Sequence, residues 1–160
     1  MGLITTMNAL YEPLHMLRET CQKIVFTNGC FDLLHAGHVQ YLEAARQEGD
    51  CLIVGLNSDV SIHIIKDSTR RPIVEEAQRA KVLSALKCVN LVVLFDDPTP
   101  KELIEQIRPN VLIKGADWAL EDIVGADSVK QSGGEVMCIS LLPEISTTIL
   151  IDRICKRYCS

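Results

Sequence analysis

The chain has 160 residues, of which 48% are hydrophobic, 23% are charged and 4% are aromatic. This length suits one domain, and the apolar fraction is large enough for a core, which excludes disorder as a description of the whole chain. Sixteen Lys and Arg residues stand against 21 Asp and Glu residues, and the net charge of −5 argues against a nucleic-acid partner. A small anionic ligand stays compatible with that charge, because it needs only a local positive site.

The cysteines and the apolar runs bear on the compartment. The seven cysteines are odd in number and include no Cys-x-x-Cys pair, so neither a disulfide framework nor a zinc ribbon is predicted. We expect reduced thiols in the cytoplasm and no metal site built by the protein alone. The longest apolar runs, such as residues 91–95, are far shorter than the roughly 18 residues that span a bilayer. No signal peptide is visible, and we expect no membrane partner.

The predicted elements begin with residues 1–21, an N-terminal helical extension with its helix over 7–19. Residues 22–160 are predicted to form a single domain in which strands and helices alternate. The five predicted strands are short, apolar and rich in β-branched residues, and they cover 23–28, 51–57, 90–95, 111–114 and 135–141. Helical patterns cover 37–48, 75–86, 100–107, 123–131 and 147–157. This alternation predicts an α/β fold: a Rossmann-like five-stranded parallel sheet with helices on both faces. We expect the strand order 3-2-1-4-5, which is common among doubly wound sheets.

The loop after the first predicted strand contains two histidines. Ligands of such sheets bind beyond the carboxyl ends of the strands, and neither GxGxxG nor GxxxxGK[ST] occurs in the chain. His35 and His38 are three residues apart at a predicted helix start, and Gly37 between them leaves that face bare. A zinc pair with Cys30 would lack a convincing fourth ligand. The helix N-terminus and the two rings together favour an anionic ligand.

Three later segments add polar groups beyond other strands. Residues 63–81 are locally basic, and a lysine with a forked arginine suits a sugar phosphate, whereas Arg70 and Lys81 fit a solvated helix face equally well. The run 114–118 leaves room for a nucleobase or ribose, although its tryptophan fits a core position too. The hydroxyls of 146–148 exceed the need of a helix cap and suit the β- and γ-phosphates of a nucleotide.

The run TNGCFDLLHAGH at residues 27–38 resembles the signature of the cytidylyltransferase-like nucleotidyltransferases. The closer resemblance, over about residues 22–157, is to the heptose 1-phosphate adenylyltransferases. It implies transfer of AMP from ATP, with Mg²⁺, to a sugar 1-phosphate, D-glycero-β-D-manno-heptose 1-phosphate. The products would be ADP-heptose, for the lipopolysaccharide inner core, and pyrophosphate. It also implies a homodimer. Such domains are often fused to a sugar kinase, and we expect a separate kinase upstream of a chain this short.

The resemblance also implies roles for individual residues. The expected catalytic residues are His35, His38 and Lys66. The expected nucleotide-binding residues are Thr27, Asn28, Gly29, Cys30, Phe31, His35, Gly37, His38, Lys114, Gly115, Asp117, Ser146, Thr147 and Thr148. The expected substrate-binding residues are Asp32, Asn57, Asp59, Lys66, Arg71, Arg79 and Trp118.

One departure and two alternatives stay open at the level of sequence. Glycerol 3-phosphate cytidylyltransferases carry an arginine shortly before the Ser-Thr-Thr run, but residues 141–144 are Leu-Leu-Pro-Glu here. This favours the adenylyl branch and leaves open which cation holds the pyrophosphate. The first alternative is a cytidylyltransferase, or an adenylyltransferase for FMN, with another acceptor. The second is a non-catalytic module that senses adenylate.

Overall fold

The core of the molecule is a six-stranded, fully parallel β-sheet of order β1-β4-β3-β2-β5-β6. The computed structural model describes residues 1–66, 70–116, 119–140 and 142–159. The strands are β1 (Leu3–Thr6), β2 (Ile24–Gly29), β3 (Cys51–Asn57), β4 (Leu91–Phe95), β5 (Val111–Gly115) and β6 (Glu135–Ile139). The helices are α1 (Tyr11–Thr20), α2 (Ala36–Gln47), α3 (Asp59–Lys66), α4 (Glu76–Ala85), α5 (Lys101–Ile107), α6 (Ala126–Gln131) and α7 (Thr147–Tyr158).

Helices cover both faces of the sheet, which is why the central strands are continuous apolar runs. Every residue of β3 is buried. Successive residues of a strand point to opposite faces. Phe26 therefore packs into the core shared with α1, α5 and α6, while Val25 packs into the core shared with α2 and α4. The predicted α/β class, the order of the five predicted strands and the two helical layers are confirmed.

The predicted count of five strands is wrong, because β1 is a sixth strand at the sheet edge. Its residues pair with β4 from Leu3↔Leu91 to Thr6↔Leu94. β1 has only four residues, three of them exposed, so no buried apolar run marks it in the sequence. The N-terminal helix expected over 7–19 appears as a 3₁₀ turn (Met7–Ala9) followed by α1. Residues 1–21 therefore contain a strand as well as a helix.

Helix α3 also differs from the sequence-based expectation, which left its residues in irregular structure. Its apolar side chains do not mark its inner face: Val60 and Ile64 are exposed, while Ser61 and Ile62 are buried. Lys66 consequently ends a helix instead of lying in a loop. No helix in the described ranges combines the length and the apolar character that crossing a bilayer requires.

A crevice opens between β2 and β5, where the chain order of the strands reverses. β2 pairs with β3 along its whole length, from Ile24↔Cys51 to Gly29↔Leu56. It pairs with β5 only at Val25↔Val111 and Phe26↔Leu112. Beyond these pairs the two strands part toward their carboxyl ends. Parallel α/β sheets bind ligands at this kind of switch point.

Candidate active site

A cavity of about 650 Å³ lies at the mouth of this crevice. It is lined by the end of β2 and the loop after it, the first turns of α2, the end of α3, the loop before α4, the end of β5, and the segment before α7 with the first turn of that helix. Fifteen predicted site residues contribute to its wall: Asn28, Gly29, Cys30, Phe31, Asp32, His35, Gly37, His38, Lys66, Arg71, Lys114, Gly115, Ser146, Thr147 and Thr148. Asp117 and Trp118 lie outside the described residues.

The loop after β2 is shaped by Phe31, which adopts a left-handed backbone conformation with φ of 43°. Its ring is buried and lies over Gly29, where an added Cβ would be only 3.1 Å from Phe31 Cε2. The same ring meets His38 edge-on, with ring centroids 5.3 Å apart. Such a backbone conformation is uncommon for a residue with a side chain. The ring of Phe31 thus packs on Gly29 and on His38, and it helps to hold His38 in place.

The two histidines form a stacked pair. Their ring centroids are 3.8 Å apart and the ring planes differ by 18°. His35 stands at the N-cap position of α2, but its side chain makes no capping hydrogen bond. Gly37 makes the stack possible, since a Cβ there would lie 3.0 Å from Ile145 Cγ2 and 3.1 Å from His35 Nδ1. The glycine thus lets His35 and the segment before α7 approach the same turn of α2.

Both imidazoles are neutral at physiological pH. Burial, followed by the neighbouring His35, lowers the pKa of His38 from 6.5 to about 4. Burial also lowers the pKa of His35. The Nδ1 atoms of both rings are buried and have no hydrogen-bond partner among the described residues. Because unpaired buried polar atoms are costly, these atoms mark a place that a polar ligand or water would satisfy.

The depressed pKa of His38 predicts a specific pH dependence. NMR titration of the free protein should show His38 neutral down to about pH 5, and bound ATP should move its titration upward because phosphates favour the imidazolium. Between pH 6.5 and about 4 the unfolded chain binds a proton that folded His38 does not. The free energy of unfolding should therefore fall as pH falls through this window. Titration of His38 near 6.5 in the folded protein would contradict the buried stack.

Three cationic side chains line the cavity with the histidines. Lys66 comes from the end of α3, Arg71 from the loop before α4 and Lys114 from β5. Lys114 Nζ donates to Asn28 Oδ1 at 2.5 Å, across the gap between β5 and β2. Positive charge in a protein of net charge −5 is therefore concentrated where an anion would sit.

Asp32 holds the loop that carries Arg71. Its carboxylate accepts hydrogen bonds from Ile73 N at 2.8 Å, Val74 N at 2.9 Å and Arg71 Nη1 at 2.9 Å. Burial by itself would raise the pKa of Asp32, but these three donors outweigh it and the pKa is lowered. Asp32 lines the cavity, and its expected role in substrate binding stays a prediction; in this structure its oxygens accept from donors of the protein.

Arg79 and its partners lie behind the cavity wall. Arg79 is 2% exposed and donates to the carbonyl oxygens of Val74, Cys30 and Asn57 at 2.8, 2.6 and 2.9 Å, and to Asp59 Oδ1 at 2.6 Å. Arg79, Asn57 and Asp59 do not line the cavity, and neither does Thr27. The direct substrate contacts expected of the first three stay a prediction, and in this structure these residues lie outside the lining of the cavity. Arg79 instead joins three loops that surround the site.

The start of α7 supplies hydroxyl groups to the opposite wall. Ser146 Oγ accepts a hydrogen bond from Ile149 N at 3.2 Å, which is the capping role weighed against phosphate binding. Thr147 and Thr148 line the cavity in the first helical turn. The first N–H groups of a helix lack intrahelical acceptors, so α2 and α7 both present donors near this space.

Three lining residues were not predicted from the sequence: Tyr41, Leu142 and Ile145. Tyr41 lies one helical turn after His38, a spacing that places it on the same face of α2. That spacing could have indicated it. Leu142 and Ile145 bear no chemical signal, and only the tertiary fold brings them to the cavity.

This fold and this site are those of a nucleotidyltransferase domain, with a His-x-Gly-His helix start facing cationic side chains at the switch point. The chain belongs to the cytidylyltransferase-like family, whose model matches residues 26–153. It is similar to the bifunctional protein HldE of Syntrophotalea carbinolica, at 49% identity over 150 residues, which cover 94% of this chain and 30% of that protein. The HldE protein of Magnetococcus marinus is 53% identical over 133 residues, covering 83% of this chain and 27% of its own length.

The chain spans about 30% of the length of the curated relatives that it matches. A solved structure with the same fold is the lipopolysaccharide core biosynthesis protein of Thermoplasma volcanium, with a TM-score of 0.59 and 24% sequence identity. That likeness covers 75% of this chain and 96% of the other. It supports the parallel α/β architecture.

Proposed function

We propose that this chain transfers an adenylyl group from ATP to a sugar 1-phosphate and releases pyrophosphate. The observation that carries the proposal is one cavity that combines two stacked neutral histidines, three cations and the N-termini of α2 and α7. Each of these groups stabilises phosphate oxygens, and the reaction involves phosphates on both substrates. The similarity to HldE and the resemblance to heptose 1-phosphate adenylyltransferases favour D-glycero-β-D-manno-heptose 1-phosphate as the acceptor.

The nucleotide occupies the side of the cavity formed by β2, β5 and α7 in this proposal. Asn28, Lys114 and Gly115 lie at the splayed carboxyl ends of β2 and β5 and leave an open floor for the nucleoside. Thr147 and Thr148 face the same space from the first turn of α7 and would hold the leaving pyrophosphate. His35 and His38 lie between these groups and would contact the phosphate that reacts.

The acceptor occupies the side formed by α3 and the loop before α4. Lys66 and Arg71 line this side, and a lysine with a forked guanidinium suits the double charge of a sugar phosphate. Arg71 is fixed by Asp32, which also binds the backbone of the same loop. The acceptor phosphate would therefore meet a cation that is already oriented.

The reaction proceeds as one displacement at the α-phosphorus. An oxygen of the acceptor phosphate forms the new P–O bond while the bond to the bridging oxygen breaks, and pyrophosphate leaves with that electron pair. Neutral His35 and His38 donate hydrogen bonds as negative charge builds on the phosphate oxygens. Burial raises the pKa of the Cys30 thiol more than Lys66 and Arg79 lower it, which disfavours the thiolate, and the proposed displacement needs no nucleophile from the protein.

A divalent metal accompanies nucleotides in this family, and we propose Mg²⁺. Asp32 is the only carboxylate among the described lining residues, and its oxygens already accept from three donors. No cluster of three or more His, Cys, Asp or Glu side chains that could hold a metal ion occurs in the described ranges. These residues do not fit a resident metal site, so Mg²⁺ enters bound to the phosphates of ATP as part of the substrate.

Three broader expectations accompany the proposal. The seven cysteines are all free thiols, which supports a reducing, cytoplasmic location. A homodimer and a separate sugar kinase that supplies the acceptor are implied by the resemblance and stay predictions. Nucleic acid and membranes are not expected partners.

The test is pyrophosphate release from a matrix of substrates. Purified chain is incubated with ATP or CTP, each with heptose 1-phosphate, glycerol 3-phosphate or FMN, and Mg²⁺. We expect pyrophosphate release only from the pair ATP and heptose 1-phosphate, with ADP-heptose identified as the product by mass spectrometry. Release with CTP would assign a cytidylyltransferase. ATP binding without release from any pair would assign a nucleotide sensor and contradict the proposal.

Lys66→Ala should mainly weaken the binding of the acceptor sugar phosphate. The apparent KM for the sugar 1-phosphate should rise about tenfold or more, since a charge-assisted hydrogen bond is lost, while the KM for ATP changes little. Steady-state kinetics with each substrate varied in turn measures both values. Lys101→Ala, at the start of α5, is the control because Lys101 is exposed and does not line the cavity. An unchanged acceptor KM would remove Lys66 from the site.

A further inference from the structure

The gap between β2 and β5 is bridged by a side chain that the proposed chemistry does not use. Tyr41 projects from α2 into the point where these strands part, and its hydroxyl lies 2.7 Å from Thr27 Oγ1 and 3.2 Å from Ile113 O. The last backbone pair between the strands is Phe26↔Leu112, so Thr27 and Ile113 are the next residues on either side. The phenol therefore lies where the next backbone pair between β2 and β5 would form.

The hydrogen bonds around Tyr41 have a fixed direction. The phenol donates its one proton to the Ile113 carbonyl, so the Thr27 hydroxyl donates to the phenol oxygen. Thr27 and Ile113 are 0% exposed, and Tyr41 is 7% exposed. Water does not compete for these groups, and a carbonyl that the splayed strands leave without a strand partner is satisfied by the tyrosine.

The bridge stands directly beneath the nucleotide side of the cavity. Asn28 and Lys114 immediately follow Thr27 and Ile113, and they span the same gap one residue further along, at 2.5 Å. His38 lies one turn before Tyr41 on α2. One hydroxyl thus connects the two strands that carry the nucleoside floor with the helix that carries a catalytic histidine.

We propose that Tyr41 is a positioning residue that sets the width of the β2–β5 crevice and thereby the affinity for ATP. This inference rests on the proposed function, because it assumes that the crevice holds the nucleotide. The ring of Tyr41 fills the base of the gap, and its hydroxyl keeps the strands at the spacing that Asn28 and Lys114 bridge. Without the hydroxyl, the strands lose their shared partner at that level and the floor of the site shifts.

The test measures ATP affinity by titration calorimetry, with no acceptor present. Tyr41→Phe and Thr27→Val each should raise the Kd for ATP on the order of tenfold, because each removes a hydrogen bond that holds the crevice at the width that ATP needs. The double variant should bind about as weakly as either single variant, since both changes break one unit. Thr27→Ser keeps the hydroxyl and should bind like the wild type. Tyr11→Phe is the control, because Tyr11 is 71% exposed on α1.

The outcomes separate this inference from the proposed function. If the wild type does not bind ATP, the proposed function fails. If the wild type binds ATP and Tyr41→Phe binds it equally well, the proposed function stands and the positioning role is overturned. A merely structural role is also distinguishable: it would lower the Tm of Tyr41→Phe and Thr27→Val without changing the Kd of the folded protein. A rise in the KM for the acceptor equal to the rise for ATP would overturn the role as well.

Discussion

His38→Ala should lower kcat by about a hundredfold or more, with a much smaller effect on the affinity for ATP. The ring stacks on His35 and makes a T-shaped contact with Phe31, and it is neutral, so it would donate a directed hydrogen bond to a phosphate oxygen. Such a donor acts mostly when charge builds in the transition state, and its loss therefore appears in kcat.

The measurement pairs steady-state pyrophosphate release with direct ATP binding to the same preparation. His15→Ala is the matched control, since His15 lies on α1 with an exposed side chain, where it contacts Tyr11 and Glu19 of the same helix. Near-normal turnover of His38→Ala would contradict the catalytic assignment. A loss confined to ATP affinity would make His38 a binding group instead of a catalytic one.

Arg79→Met should lower the free energy of unfolding by about 3–5 kcal/mol. The side chain of Arg79 is fully buried, and its removal takes the guanidinium donors away from three carbonyl oxygens and from Asp59 Oδ1. Arg79→Lys should recover only part of the loss, because an ammonium cannot match the fork that reaches these separated acceptors.

Urea unfolding followed by circular dichroism measures both variants. Arg153→Met is the control, because Arg153 is exposed on α7. A loss below about 1 kcal/mol for Arg79→Met would contradict the view that this arginine joins the loops around the site, since that is the range of an ordinary surface pair. Retained stability with a large rise in the acceptor KM would return Arg79 to direct substrate contact.

The fold was largely predictable, because strands that are buried on both faces appear in the sequence as continuous apolar runs. The strands from β2 to β6 are apolar runs between helical segments, and their order follows from the resemblance and from parallel-sheet rules. β1 is a short edge strand with mostly exposed residues, and α3 exposes Val60 and Ile64. Neither element therefore has the spacing of apolar residues that a buried face produces in a sequence.

The members of the site were partly predictable because its residues follow the carboxyl ends of strands. Residue types alone do not reveal which charged side chains pair with one another in the folded protein. Asp32 and Arg79 have the chemistry of ligand contacts, yet both are engaged by the protein. A charged residue can contact the substrate, or it can hold a loop that carries a substrate-contacting residue. Only interatomic distances distinguish these two roles. Tyr41 is similar, since its role depends on where β2 and β5 part.

The proposed reaction is a single direct displacement at the α-phosphorus by the acceptor phosphate, and the cavity contributes only the positioning of the substrates and the neutralisation of charge. A stereochemical experiment tests this directly: ATP with one stereochemically defined sulfur on the α-phosphorus is incubated with heptose 1-phosphate, and the configuration of the thio-ADP-heptose product is determined by ³¹P NMR. We expect inversion at phosphorus, with one pyrophosphate released per product. Retention of configuration would require a covalent intermediate on the protein and would contradict direct displacement.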